Sequence, residues 1–181
     1  IFCWGKDKLG RIWLGSRSKG IFIITLNIFS DIIKFQSINT ANSPIKSNHI
    51  WDICFSKNSN TVWIATDSGL NSFDCLSLEA DVVPITPHEK LINRKILSVI
   101  EDSDHSIWLN TSQGLLHYNS ETGYYREYYY SDGLCSNCLT EAGYLAADGT
   151  LYIGSIDGIN YFTPLDIKDI RNDAQIQIIN F

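Results

Sequence analysis

The chain has 181 residues, of which 44% are apolar and only 19% are charged, and this composition excludes an intrinsically disordered protein. Its net charge of −6, with no run of Lys or Arg, excludes a nucleic-acid-binding face, because phosphates attract basic side chains. No apolar stretch reaches the ~20 residues that cross a bilayer, so we expect no membrane contact by this segment.

The start of the chain indicates a piece of a longer protein. The chain contains no Met, and the residues after Ile1 lack the basic start and the cleavage site of a signal peptide. We therefore interpret it as a fragment. Its apolar residues are mainly aromatic and β-branched, which favours strands over helices.

The first predicted elements, in residues 1–36, are four strands. An apolar run and a strand that contains Trp13 are separated by a polar turn, which is typical of a β-hairpin. A tight turn with Gly20 comes next, since glycine tolerates positive φ. Two further strands are predicted at residues 21–24 and 32–35.

The same order of elements returns in residues 48–85, 94–130 and 138–163. An aromatic residue anchors the second strand of each repeat, and the anchors lie 50, 45 and 44 residues apart. The anchors are Trp13, Trp63, Trp108 and Tyr152. A glycine comes after each anchor strand, at Gly20, Gly69, Gly114 and Gly158. Self-similarity at this period, with about four strands per repeat, predicts the blades of a β-propeller.

The predicted fold is all-β, a propeller fragment of about four four-stranded antiparallel blades within residues 1–165. The last blade is predicted to lack its outer strand, because Pro164 interrupts the pattern after the third strand. Residues 166–181 are predicted to form a linker and the first strand of a following β-sandwich domain, because polar and apolar residues alternate there. We expect the fragment to associate with the remaining blades of its propeller or with itself, as a homodimer through this region.

The third repeat shows the recurring pattern most fully. It reads Val-Ile-Glu-Asp at 99–102, Ile-Trp-Leu-Asn-Thr at 107–111 and Gly-Leu at 114–115, followed by Tyr118. This pattern resembles the two-component regulator propeller repeats in the extracytoplasmic sensor region of hybrid two-component systems. The resemblance implies a non-catalytic periplasmic sensor segment of a full-length histidine kinase. It also implies a glycan-derived oligosaccharide as the ligand.

Strand order places two sets of loops on one side of the blades, which we call the channel face. These are the loops that lead into each first strand and the turns that follow each anchor strand. Loops carry function on rigid scaffolds, and their polar side chains can hydrogen-bond sugar hydroxyls. The candidate ligand-binding residues are Arg17, Asn48, His49, Asp67, Asn93, Arg94, Gln113, Asn137 and Asp157. The alternative is that they are ordinary turn residues.

The sequence predicts no catalytic residue, metal or cofactor. The histidines are His49, His88, His105 and His117. They lie in different repeats, so they do not indicate a zinc site. The acidic cluster of Glu101, Asp102 and Asp104 is interpreted as a solvated turn. Cys135 and Cys138 have redox-motif spacing, but they precede a strand rather than a helix, and we interpret them as structural thiols.

Two other functions remain open. A glycan-cleaving propeller enzyme would need two carboxylates near the channel, and Asp67 and Asp157 are the obvious acids on that face. A protein-interaction scaffold would bind a partner protein and no small molecule.

Overall fold

The computed structural model describes residues 1–27, 32–76 and 94–167. Within them the chain forms fourteen β-strands, short 3₁₀ turns and no α-helix, which confirms the predicted all-β class. The strands of the first half are β1 (Cys3–Lys6), β2 (Ile12–Gly15), β3 (Ile21–Asn27), β4 (Ile32–Ile38), β5 (Ile50–Phe55), β6 (Thr61–Thr66) and β7 (Gly69–Asp74). Those of the second half are β8 (Ile96–Glu101), β9 (Ile107–Thr111), β10 (Gly114–Tyr118), β11 (Tyr125–Tyr128), β12 (Leu139–Leu145), β13 (Leu151–Ser155) and β14 (Gly158–Phe162).

Consecutive strands pair into four antiparallel sheets, which we number as blades 1 to 4. Blade 1 contains β1–β4, blade 2 contains β5–β7, blade 3 contains β8–β11 and blade 4 contains β12–β14. The first strands of successive blades, β1, β5, β8 and β12, contact one another in that order. The sheets therefore radiate from their first strands, and the predicted propeller architecture is confirmed.

Two of the predicted strands fall outside the described residues. The fourth strand expected in blade 2, at residues 78–85, is one of them. The β-sandwich strand expected before residue 181 is the other. Blade 4 has three described strands, and residues Pro164–Asp166 after it form a single 3₁₀ turn. No described helix has the length and hydropathy that a bilayer crossing requires.

The anchor aromatics face the following blade. The indole ring of Trp13 lies edge-on to the rings of Phe55 and Phe73 of blade 2, with centroids 5.9 and 6.1 Å away. The ring centroid of Trp108 lies 5.1 Å from that of Phe162 in blade 4. Trp63 packs in the hydrophobic cluster that includes the strands of blade 3. All three are almost fully buried. Because replacing a buried Trp by Ala costs about 3–5 kcal/mol, each of these rings contributes strongly to the packing between blades.

Tyr152 holds the anchor position of blade 4 but has no described blade beyond it. It pairs across the sheet with Tyr144 and Tyr161, so the three rings share one face, which we call the blade-4 free face. Their exposed fractions are 65% for Tyr144, 39% for Tyr152 and 73% for Tyr161. The opposite end of the fragment, the blade-1 free face, exposes Trp4 and Phe35 on the side of the sheet away from Trp13.

The glycine turns have the backbone conformation that a side chain resists. Gly20 and Gly114 adopt φ of +76° and +107°. A Cβ on Gly114 would lie 2.7 Å from the carbonyl oxygen of Tyr128, and one on Gly20 would overlap the carbonyl oxygen of Ile38. Glycine therefore lets each turn lie directly against its own outer strand.

The acidic cluster is built differently from the solvated turn that the sequence suggested. Glu101 and Asp102 are 5% and 3% exposed, and only Asp104 lies in solvent. The carboxylate of Asp102 accepts the backbone N–H groups of Asp104 and Ser106, at 2.9 and 3.0 Å. It also accepts the indole N–H of Trp108 at 2.8 Å, so it closes the first hairpin turn of blade 3 and orients the anchor ring.

Asp7 does the same in blade 1. It accepts the backbone N–H groups of Leu9 and Arg11, both at 2.9 Å, and the indole N–H of Trp13 at 2.8 Å. Its second oxygen also forms an ion pair with the guanidinium of Arg11 at 2.6 Å. Arg11 then donates to the carbonyl oxygen of Cys75, which ties blade 1 to blade 2.

Candidate functional site

The loops of the channel face are joined by backbone hydrogen bonds between blades. Gly20 in the β2–β3 turn donates to the carbonyl oxygen of Asn48, which leads into blade 2, at 3.0 Å. Ile50 donates to the carbonyl oxygen of Ser16 at 2.9 Å. The same contact returns between Gly114 and Asn137, at 2.7 Å. The lead-in loops of blades 2 and 4 therefore have a defined position on the preceding blade.

A carboxylate of blade 2 organises the aromatic residues of this face. Asp67, in the β6–β7 turn, accepts the indole N–H of Trp51 at 2.7 Å through one oxygen. Its other oxygen lies 3.0 Å from Nδ1 of His49. A carboxylate only accepts, so Nδ1 carries the proton, and Nε2 holds the lone pair when the ring is neutral. Nε2 is buried and has no hydrogen-bond partner in the described part of the chain.

The rings held by Asp67 form a compact aromatic group. His49 stacks on Trp51 with ring centroids 4.4 Å apart and an angle of 15° between the planes. The Phe2 ring meets Trp51 edge-on at 5.5 Å, and 48% of its surface remains exposed. A register shift in β5 between Ile50 and Asp52 releases Trp51 from the ladder, and such bulges re-aim side chains.

Two cations border the aromatic group. The ammonium nitrogen of Lys95 lies 4.0 Å from the centroid of the Trp51 ring, and the guanidinium carbon of Arg17 lies 5.4 Å from that of Phe2. Both positions fit cation–π attraction, worth about 0.5–1 kcal/mol where the ring is exposed. The site therefore combines an accessible ring, cationic hydrogen-bond donors and a carboxylate. We call these six residues the channel-face site: Phe2, Arg17, His49, Trp51, Asp67 and Lys95.

The chemistry of this site suits binding better than acid–base catalysis. Both oxygens of Asp67 hold N–H groups of the protein, so the carboxylate positions rings and offers little to a substrate. Asp157, the second acid predicted on this face, is exposed on the β13–β14 turn of blade 4. An exposed aromatic face with charged donors around it is suited to a ring-shaped ligand that carries hydrogen-bonding groups.

The other predicted site residues lie outside this group. Asn48 and Asn137 each accept a backbone N–H of the loop before them through Oδ1, at 2.8 and 2.6 Å, so they stabilise the lead-in loops. Arg94 forms an ion pair with Glu127 at 3.1 Å. Gln113 is exposed in the β9–β10 turn, and Asn93 lies outside the described residues.

Three residues of the site were not predicted, namely Phe2, Trp51 and Lys95. A positional signal was available, because Phe2, His49 and Lys95 each immediately precede the first residue of a first strand. Of these three, only the histidine was predicted. Cys138 holds the same position before β12; it is exposed, and both it and Cys135 are free thiols.

Comparisons with known proteins agree with the architecture. No protein-family model matches the chain. Histidine kinase P4 of Formosa agariphila is 28% identical over 177 residues, which are 97% of this chain and 13% of that protein. The extracellular domain described for a hybrid two component system, BT3049 of B. thetaiotaomicron, has a TM-score of 0.73 at 23% identity and covers 90% of this chain and 21% of that one.

A third similarity is to PorZ, a surface component of the type-IX secretion system of Porphyromonas gingivalis. Its TM-score is 0.70 at 19% identity, over 88% of this chain and 25% of that chain. The structural similarities establish the fold. The resemblance to the repeats of hybrid two-component sensors is confirmed, and the chain spans about a quarter or less of the length of each of these three proteins.

Proposed function

We propose that this chain is a non-catalytic segment of the periplasmic sensor region of a hybrid two-component protein, and that it recognises a glycan-derived ligand on behalf of a histidine kinase. The observation that supports this proposal is the channel-face site, with its half-exposed Phe2 ring beside Arg17 and with Lys95 over the ring of Trp51. The similarity to a histidine kinase and to the extracellular domain of a hybrid system supports the signalling part.

The site has the groups that a sugar ring needs. The apolar face of a pyranose can stack on the exposed ring of Phe2, while its hydroxyls accept from Arg17 and Lys95. Phe2 and Arg17 belong to blade 1, Trp51 to blade 2 and Lys95 to the lead-in of blade 3. A ligand held by all of them favours one arrangement of three blades, and a kinase can respond to that population shift.

The test uses the intact sensor region and a panel of neutral and acidic oligosaccharides. A ligand present at 100 times its Kd is expected to stabilise the protein by about 2.7 kcal/mol, which thermal unfolding detects readily. Phe2→Ala and Arg17→Gln should each weaken binding by about tenfold or more, as expected for a lost stacking or charged contact. Gln113→Ala, on the same face but outside the site, is the matched control. A stable region that no oligosaccharide stabilises would contradict the proposal.

The glycan-cleaving enzyme is less well supported. Asp67 is committed to His49 and Trp51, and retaining or inverting glycosidases need two available carboxylates about 5–10 Å apart. Turnover of a glycan that is lost in Asp157→Ala, with folding and binding retained, would restore this alternative.

We propose that both free faces pack against further blades of the same propeller in the full-length protein. The three buried anchors each face the next blade, and Tyr152 at the fourth anchor position is 39% exposed. Exposed rings on the two faces, Trp4 and Phe35 on one and Tyr161 on the other, form apolar areas that soluble proteins seldom leave uncovered. Solution scattering that shows a monodisperse monomer of this fragment would argue against the proposal.

A further inference from the structure

One anchor indole lacks the partner that its counterparts have. Trp13 and Trp108 donate their indole N–H to Asp7 and Asp102, both at 2.8 Å. Trp63 of blade 2 is 4% exposed, and its indole nitrogen has no hydrogen-bond partner among the described residues. An unpaired buried N–H of this kind costs about 1–3 kcal/mol.

The reason lies in the first hairpin turn of blade 2, where Ser56 replaces the aspartate. Glu101 reaches into this turn from blade 3. It accepts the hydroxyl of Ser56 and the backbone N–H of Lys57, both at 2.8 Å. An aspartate at position 56 would place a second buried carboxylate in contact with Glu101. Two like charges in contact inside the protein repel each other strongly. Blade 2 therefore gains a tie to blade 3 and leaves its indole unpaired.

A cavity of about 210 Å³ opens beside this indole, between blades 2 and 3. It is lined by Ser56, Asn58, Thr61, Trp63, Glu101 and His105. Ser56, Trp63 and Glu101 are each at least nine-tenths buried, so the inner wall is rigid and polar. Glu121 lies at the exposed mouth. The cavity belongs to the hairpin-turn side of the blades, opposite the channel-face site.

We propose that this cavity binds a small uncharged molecule that carries at least two hydroxyl groups. One hydroxyl oxygen accepts the indole N–H of Trp63, while its own proton, or that of a neighbouring hydroxyl, is donated to Glu101. The carboxylate of Glu101 has about four acceptor positions, and the Ser56, Lys57 and His105 contacts use three of them. The site is independent of the proposed channel-face ligand.

Charge and size narrow the ligand class. The carboxylates of Glu101 and Glu121 repel an anion, and a simple cation offers no acceptor to the Trp63 N–H. The volume equals roughly seven waters at about 30 Å³ each, which suits a three- or four-carbon polyol.

The test follows the indole N–H signals of the whole chain by ¹H–¹⁵N correlation spectroscopy during titration with glycerol, erythritol and, separately, acetate. Trp63→Phe assigns the signal of residue 63. We expect a saturable shift of that signal with a polyol and none with acetate, while the signals of Trp13 and Trp108 stay in place. A Trp63 signal that does not respond to either polyol, or that responds equally to acetate, would overturn the proposal.

A double variant provides the matched control. In Ser56→Asp/Glu101→Gln the new carboxylate meets the Trp63 N–H and the repulsion from residue 101 is removed. The polyol response should disappear while the circular dichroism and the indole signals of Trp13 and Trp108 are retained. If the polyol shift persists at full size in this folded variant, the assignment of the cavity is wrong. Ser120→Ala at the mouth should leave the response unchanged.

Discussion

The strongest prediction concerns the two aspartates that hold anchor indoles. Asp7→Ala removes the acceptor of three N–H groups and, in addition, the counter-ion of Arg11. Arg11 is 5% exposed, and within the described residues its guanidinium would keep the carbonyl oxygen of Cys75 and the ring of Trp13 but no counter-ion. Removing one partner of a buried ion pair costs about 3–5 kcal/mol. Asp102→Ala also removes the acceptor of three N–H groups but strands no charge, so we expect a loss of about 1–3 kcal/mol.

The assay is urea unfolding at pH 7, monitored by Trp fluorescence. The free energies of unfolding are compared between variants whose dependence on urea concentration has the same slope. Asp7→Ala should lose about 2 kcal/mol more than Asp102→Ala. Asp7→Ala/Arg11→Met, which also removes the stranded guanidinium, should recover most of that excess. Equal losses in the two single variants, or no recovery in the double variant, would refute the role assigned to the ion pair.

The stability that Asp7 contributes should depend on pH in the acid range. Burial by itself would raise the pKa of Asp7, but hydrogen bonds from Trp13 and Arg11, with the Arg11 charge, outweigh it and lower the pKa below the ordinary 3.8. The stabilisation is therefore complete above pH 3.8 and is lost as the pH falls towards the folded pKa. The gap in unfolding free energy between the wild type and Asp7→Asn should narrow over that range.

The remaining predictions test local features. Gly114 and Gly133 have similar φ angles, +107° and +108°, but only at Gly114 would a Cβ lie against the carbonyl oxygen of Tyr128. In chemical denaturation, Gly133→Ala should lower the unfolding free energy by about 1 kcal/mol, and Gly114→Ala should lower it by at least about 1 kcal/mol more. His105→Gly relieves the left-handed φ of 62° and should raise the unfolding free energy by up to about 1 kcal/mol, whereas a clear loss would mean that the Glu101 contact matters more. Burial raises the pKa of Asp52 above 3.8, so its stabilising effect is complete below pH 3.8 and is lost as the pH rises through the raised pKa. Asp52→Asn should therefore exceed the wild type in stability at pH 7, with an advantage that vanishes in acid; an advantage independent of pH would contradict this.

The fold was predictable because the same pattern of strands and turns occurs four times in the sequence. A single aromatic anchor strand between two turns is compatible with many folds. The recurrence of Trp13, Trp63 and Trp108, each followed by a glycine, allows only a radial or stacked array of repeats. The turn chemistry was less readable. A carboxylate in a polar turn looks alike in sequence whether it points to water or back at an indole. The spacing of six residues from Asp7 to Trp13 and from Asp102 to Trp108 was the available clue.

The channel-face site could be predicted only in part. His49 and Asp67 were identified because polar residues in a loop are expected to bind something, and the structure brings them together through a 3.0 Å contact. Trp51 lies in the apolar run of residues 50–55, and only the register shift in β5 shows that it leaves the ladder. Bulges depend on pairing with β6, which sequence periodicity does not report.

The arrangement of the anchors gives the stack of blades a direction. Every buried anchor faces forward along the chain, so the surface that ends the stack, with its three tyrosines, differs from the surface of Trp4 and Phe35 that begins it. Contact between the beginning surface of one copy and the ending surface of another would be heterologous, front to back, and would close into a ring or extend into a fibre. In a twofold-symmetric pair, by contrast, one of these surfaces would meet the same surface of the partner copy.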